Sequence, residues 1–90
     1  MQLSLIPSKN VNIQYRNIEL QAVLVIPQEG KVKVLNHVGA FIWDKIDGIH
    51  TIKELIDHII REFEVNEDQA AKDVIYFLNL LKEKNMIQYQ

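Results

Sequence analysis

Three histidines, His37, His50 and His58, are the side chains best suited to hold a metal or move a proton near neutral pH. Two imidazoles on one helical face need a spacing of four residues, and metal-assisted hydrolysis of the common kind needs HExxH; neither pattern occurs. Cysteine is absent, which removes thiol nucleophiles, iron–sulfur clusters, cysteine zinc sites and disulfides together. Asp57, Glu62, Glu64, Glu67 and Asp68 supply carboxylates, but they fall on the polar sides of amphipathic stretches, where a solvated face belongs. Gly30, Gly39 and Gly48 are isolated, so there is neither a phosphate-cradling loop nor a nucleophile elbow. The histidines are read as surface or boundary residues, and an enzymatic reading finds no residue to attach to. No cofactor and no metal are expected.

The elements that would position any site must fit into 90 residues, about one small domain spanning 1–90. A hydrophobic fraction of 48% with 24% charged residues is the balance of an ordinary globular fold, which excludes a disordered chain. Met1 to Pro7 has no basic segment followed by an apolar one, and nothing approaches the roughly 18 apolar residues of a membrane span, so a cytoplasmic protein without membrane contact is expected.

The period of the apolar residues changes near Leu35. Before it, Val11, Ile13 and Tyr15 alternate with Asn12, Gln14 and Arg16, predicting a strand with one buried face. Ala22 to Ile26 is a continuous apolar run that ends at Pro27, predicting a central strand covered on both faces. Gln28-Glu29-Gly30-Lys31 supplies a turn, and Lys31 to Leu35 alternates again. The three strands, about 11–35, form an antiparallel meander with the last on an edge. After it, Asn36 is an N-cap for a helix carrying Val38, Phe41, Ile42 and Ile46, with Asp47-Gly48 as its stop. Thr51 and Glu54 have capping-box spacing ahead of Ile52, Leu55, Ile56, Ile59, Ile60 and Phe63, which share one helical face. Asn66 to Gln69 repeats that logic ahead of Ala70, Ala71, Val74, Ile75, Leu78 and Leu81, and Asn85 ends the third helix before a short strand or tail from Met86. Three helices, about 37–84, following a three-stranded sheet make an α+β, winged-helix-like domain.

Winged helices often bind DNA, and a DNA-binding regulator is the alternative function. Residues 67–84 of the third helix carry Lys72, Lys82 and Lys84 against Glu67, Asp68, Asp73 and Glu83, with no arginine to read guanine. A helix of that charge is repelled by phosphate, so no nucleic-acid partner is expected. Asp73, Phe77, Leu80 and Lys84 form a second stripe rotated away from Val74, Ile75, Leu78 and Leu81. Phe77 and Leu80 either pack beneath the sheet or first helix, or floor a groove beside the edge strand. The strand Lys31 to Leu35 has an unpaired outer side that its lysines either guard against aggregation or open to an extended guest peptide with acidic residues.

Leu35-Asn36, Gly39, Ile42-Trp43, Ile46-Asp47-Gly48, Thr51-Ile52, Glu54-Leu55, Phe63, Asp73-Val74, Phe77-Leu78, Leu81 and Met86-Ile87 together resemble the pattern of the PqqD family, also called RiPP recognition elements. The resemblance runs from Val11 to Ile87 and is most diagnostic between Leu35 and Thr51. It implies a non-catalytic domain that binds the leader segment of a ribosomally made precursor peptide and presents it to a modifying enzyme, often a radical SAM protein, in synthesis of pyrroloquinoline quinone or another modified peptide. It implies a leader strand added to the third strand, at Lys31, Val32, Lys33, Val34 and Leu35, lying against Asp73, Tyr76, Phe77 and Leu80 of the third helix. Trp43 is expected in the core with its indole N–H on an acceptor, and Asn85 stands where the family commonly has glycine. A monomer or homodimer is compatible with all of this.

Overall fold

A computed structural model of the protein describes residues 2–11, 13–26 and 29–90. The expected strand end at Pro27 and the first turn residue, Gln28, lie outside the described residues. Five strands and three helices follow in the order β1 (Pro7–Lys9), β2 (Tyr15–Ile18), β3 (Gln21–Ile26), β4 (Lys31–Leu35), α1 (His37–Asp44), α2 (Ile52–Phe63), α3 (Glu67–Glu83) and β5 (Ile87–Tyr89). The fold is α+β, with the expected three-stranded antiparallel meander, β2-β3-β4, followed by three helices.

Two features depart from the sequence-based expectation. The amino-terminal segment forms β1, which pairs with β5 in a separate two-stranded sheet with Ser8 opposite Gln88. The first meander strand starts at Tyr15 and not at Val11, which is 94% exposed. A two-residue turn at Glu19-Leu20 sets Ile18 opposite Gln21 and Tyr15 opposite Leu24, so the register is fixed from the turn backwards. Upstream, the Asn10 amide donates to the Met86 carbonyl and the Ile13 amide to the Asn10 carbonyl, which draws the chain away from β3.

The helix caps follow the sequence closely. Asn36 accepts from the Gly39 amide, Thr51 and Glu54 form the complete capping box, and Asn66 accepts from the Gln69 amide. Asn85 takes φ +58° as expected, and Gly48 takes φ +76°. The first helix is shorter than predicted, because its C-cap is Lys45 and the chain turns three residues before the Asp47-Gly48 stop.

One core joins these elements. Ala22, Leu24, Ile26 and Leu35 on the inner face of the sheet meet Ile42 and Trp43 of α1, Ile52, Leu55, Ile56 and Ile59 of α2, and Val74, Leu78 and Leu81 of α3. Among the described residues, the central strand β3 is therefore fully buried on one face only, in contrast to the expectation of two. Val23 and Val25 remain half-buried on the outer face, beside a concavity of about 360 Å3 lined by Gln14, Tyr15, Arg16, Ile18, Val23 and Val25.

Candidate functional site

The third meander strand, β4, pairs antiparallel with β3 and with no other strand among the described residues. Its far side presents backbone donors and acceptors in the arrangement that extends a sheet. Register determines what an added strand would meet. Leu35 is opposite Ala22, Lys33 opposite Leu24 and Lys31 opposite Ile26, whereas Val34 and Val32 are opposite Val23 and Val25. Directly opposed residues share a face of an antiparallel sheet. Lys31 and Lys33 thus lie on the core-side face of β4, in phase with the buried Leu35, and the two valines lie on the outer face.

Val32 and Val34 are exposed, at 63% and 58%, as is Lys31, while Lys33 is half-buried. Leu35 is 4% exposed and belongs to the core, so at that position only the backbone is open to a guest.

The third helix approaches the beginning of this strand. Asp73, Phe77, Leu80 and Lys84 recur every four, three and four residues, a stripe about a quarter-turn away from Val74, Leu78 and Leu81, which face the core. An ion pair joins its carboxyl end to the sheet: Lys84 Nζ lies 2.6 Å from Glu29 Oε1, and Glu29 sits in the turn leading into β4. The carboxyl end of α3 is therefore tied to the beginning of β4. The helix rises about 16 Å from Lys84 back to Asp73. The strand advances about 13 Å from Lys31 to Leu35. Phe77 is half-buried and packs against the core cluster, and Leu80 is half-buried. Asp73 is exposed and accepts from Gln69 Nε2 at 2.8 Å, and Tyr76, 73% exposed, flanks the stripe on the side away from the core.

Lys31 and Lys84 lie close enough to Glu29 to act on its carboxyl. Hydrogen bonding to Lys84, helped by the charges of Lys84 and Lys31, holds the Glu29 carboxyl below the usual glutamate range. Nothing in the sequence signals the Glu29–Lys84 pair, whose members are 55 residues apart; only the packing of α3 beside the β3–β4 turn brings them together.

The histidines lie elsewhere. His50 Nδ1 is 2.6 Å from Asp47 Oδ2, and the His50 and His58 rings stack edge-on at 5.1 Å. Burial is the main reason the His58 imidazole titrates below its ordinary value, reinforced by the charges of Arg61, His50 and Lys45. His58 borders a concavity of about 480 Å3 with Glu54, Asp57, Ile60 and Arg61, along α2. Among the described residues, no group of three or more histidine, aspartate or glutamate side chains could hold a metal ion. His37 packs edge-on against Phe63. Trp43 is in the core as expected, but its Nε1 meets no acceptor among the described residues. The Tyr15 ring and the Lys9 ammonium, 5.4 and 5.0 Å from its ring centroid, cover it instead.

The same architecture occurs in solved proteins. The structure described as TbiB1 in complex with the TbiA(beta) leader peptide superposes with a TM-score of 0.81 at 25% identity, over 90% of this chain and 94% of that one. The lasso peptide synthetase B1 complexed with its leader peptide has the same fold, with a TM-score of 0.79 at 22% identity, over 92% of this chain and 98% of its own. No curated protein sequence matches the chain. The family model of coenzyme PQQ synthesis protein D matches residues 21–87, from the central strand through all three helices into β5, and the chain belongs to the PqqD family.

Proposed function

We propose that this protein binds the leader segment of a ribosomally made precursor peptide as an added strand on β4 and presents the peptide to a modifying enzyme. The observation that supports this reading is a strand, β4, that is paired on one side only among the described residues and whose preceding turn is tied to the carboxyl end of α3, in a chain similar to two proteins captured with leader peptides. Backbone pairing with Lys31 to Leu35 supplies affinity that is largely independent of guest sequence, and the helix stripe supplies selectivity. Phe77 and Leu80 anchor apolar guest residues, while Tyr76 and Asp73 border them.

The protein is a carrier and not a catalyst: the site combines strand edge, apolar anchors and lysines, with no nucleophile or acid–base pair. It works in the cytoplasm, where precursor peptides are made, beside an enzyme of the radical SAM or another peptide-modifying class. The product is pyrroloquinoline quinone or another modified peptide.

Titrating the isotope-labelled protein with the leader of the precursor peptide encoded nearest to it tests this directly. Amide shifts are expected on β4 and on the Asp73 to Lys84 side of α3. Shifts concentrated on α2, around His58 and the neighbouring concavity, would overturn the assignment.

A further inference from the structure

The side of α2 that carries His58 takes no part in the leader site, and two concavities meet there. One, of about 480 Å3, is lined by Glu54, Asp57, His58, Ile60 and Arg61; the other, of about 310 Å3, by Phe41, Lys45, His58, Arg61 and Glu62. His58 and Arg61 border both, so the two adjoin in a groove that follows α2 from Glu54 to Arg61 and ends at Lys45, the C-cap of α1. Those seven residues of helix span about 10 Å, the reach of about three residues of extended chain. The groove is therefore longer than a single small anion.

Its charges are unevenly engaged. At one end, Glu54 accepts from the Thr51 amide at 2.8 Å and Asp57 from the Lys53 ammonium at 3.2 Å, so both carboxylates are occupied. At the other end, Lys45 and Arg61 take part in no ion pair among the described residues, and Lys45 Nζ lies 5.5 Å from the centroid of the Phe41 ring. Glu62 is the one carboxylate lining that end, against these two cations. His58 feels the excess: burial first, then the charges of Arg61, His50 and Lys45, hold its imidazole below its ordinary value, with only Glu54 opposing them.

We propose that this groove docks an acidic segment of a protein partner, its carboxylates on Lys45 and Arg61 and its uncharged residues along α2 toward Glu54 and Asp57. The engaged carboxylates at that second end repel further acids, which fixes the order of the segment's residues along the helix. The surface lies on α1 and α2, whereas the leader site proposed above lies on β4 and α3, so the inference goes beyond leader binding and stands without it.

The probes are the capped peptide Ser-Glu-Glu-Ser-Ala-Ser and its counterparts with Gln-Gln and Lys-Lys, titrated against the isotope-labelled full chain. The Glu-Glu peptide is expected to shift the amides of Lys45, His58 and Arg61 and leave β4 unmoved. It should also raise the midpoint of the His58 titration, because a carboxylate nearby favours the charged imidazole. Its binding should be about tenfold tighter than that of the Gln-Gln peptide, as two exposed ion pairs allow, and the Lys-Lys peptide should give no shift there. Arg61→Gln should remove most of that preference and Lys45→Gln/Arg61→Gln all of it, while Glu62→Gln should tighten the Glu-Glu peptide about two- to threefold. Arg61 and Glu62 are exposed, and circular dichroism checks the folding of each variant.

Equal binding of the Glu-Glu and Gln-Gln peptides, or a preference that survives the double variant, would overturn the docking surface and leave strand addition at β4 untouched. An equal His58 shift with inorganic phosphate at the same concentration would reduce the groove to a small-anion site and overturn it too. If the leader itself shifts α2 amides in place of β4, the leader assignment fails and the second surface falls with it.

Discussion

Phe77 and Leu78 are adjacent in sequence and differ in every other respect that matters. Leu78 is fully buried among Val74, Leu81 and the helices below, so Leu78→Ala should cost about 2 to 5 kcal/mol of stability. Phe77 is half-buried and packs against the edge of the core. Phe77→Ala should lose only about 1 to 2 kcal/mol but weaken leader binding about tenfold as an aromatic anchor is removed. Denaturation midpoints and peptide affinities measured on both variants check the pairing, and equal effects on the two properties would show the stripes to be misassigned. Asp47 governs a different property. Burial raises the pKa of its carboxyl, but the backbone amides of His50 and Ile49 and the His50 imidazole outweigh that and hold it at about 2. A carboxyl held low in the folded state contributes stability above its unfolded pKa and loses it as the pH falls through the folded value. Stability should therefore decline between about pH 4 and pH 2, and Asp47→Asn should flatten that part of a pH–denaturation profile while lowering stability at neutral pH. The lysines of β4 show where single-residue reading stops. Lys31-Val32-Lys33-Val34 taken alone puts the valines inward; Leu35, in phase with the lysines and anchored beneath α1, reverses the assignment for the whole strand.

The helices were the most legible elements because their signals are local. Asn36, Thr51-Glu54 and Asn66 each satisfy amide donors within one turn, and nothing elsewhere in the fold can move them. Thr51→Ala should accordingly destabilise the protein by about 1 kcal/mol with little change in leader affinity, as α2 lies away from β4; thermal melts with and without leader would separate the two effects. The strands were less legible because pairing is decided at a distance. The alternation of Val11, Ile13 and Tyr15 is real, yet the Glu19-Leu20 turn recruits Tyr15 to Ile18 and leaves Val11 outside. Pro7-Ser8-Lys9 has no strand pattern at all, and becomes β1 only because β5 comes within pairing distance at the other end of the chain. The open side of β4 belongs to the same class: its place at the end of the meander is readable from local alternation, but its relation to α3 depends on a contact from Lys84 to Glu29.

At the scale of the whole molecule, charge bears on the DNA-binding alternative. Residues 1–35 carry four basic and two acidic side chains, whereas residues 36–90 carry six basic and ten acidic ones. The positive half is the meander with β4, and the negative half is the helical layer, including α3, which would have to enter a major groove. The lysines of the third helix, Lys72, Lys82 and Lys84, are outnumbered there by Glu67, Asp68, Asp73 and Glu83, so the helix cannot present the net positive face that would neutralise a row of phosphates. Random-sequence duplex DNA should therefore show no measurable binding at physiological salt. Leader binding, built on backbone pairing and apolar anchors with a few flanking lysines, should weaken by no more than about tenfold between low and moderate salt, while contacts to roughly six or more phosphates would lose about a thousandfold or more over the same range. Fluorescence titrations of both ligands across that range test the distinction, and micromolar duplex binding with a steep salt slope would reverse it.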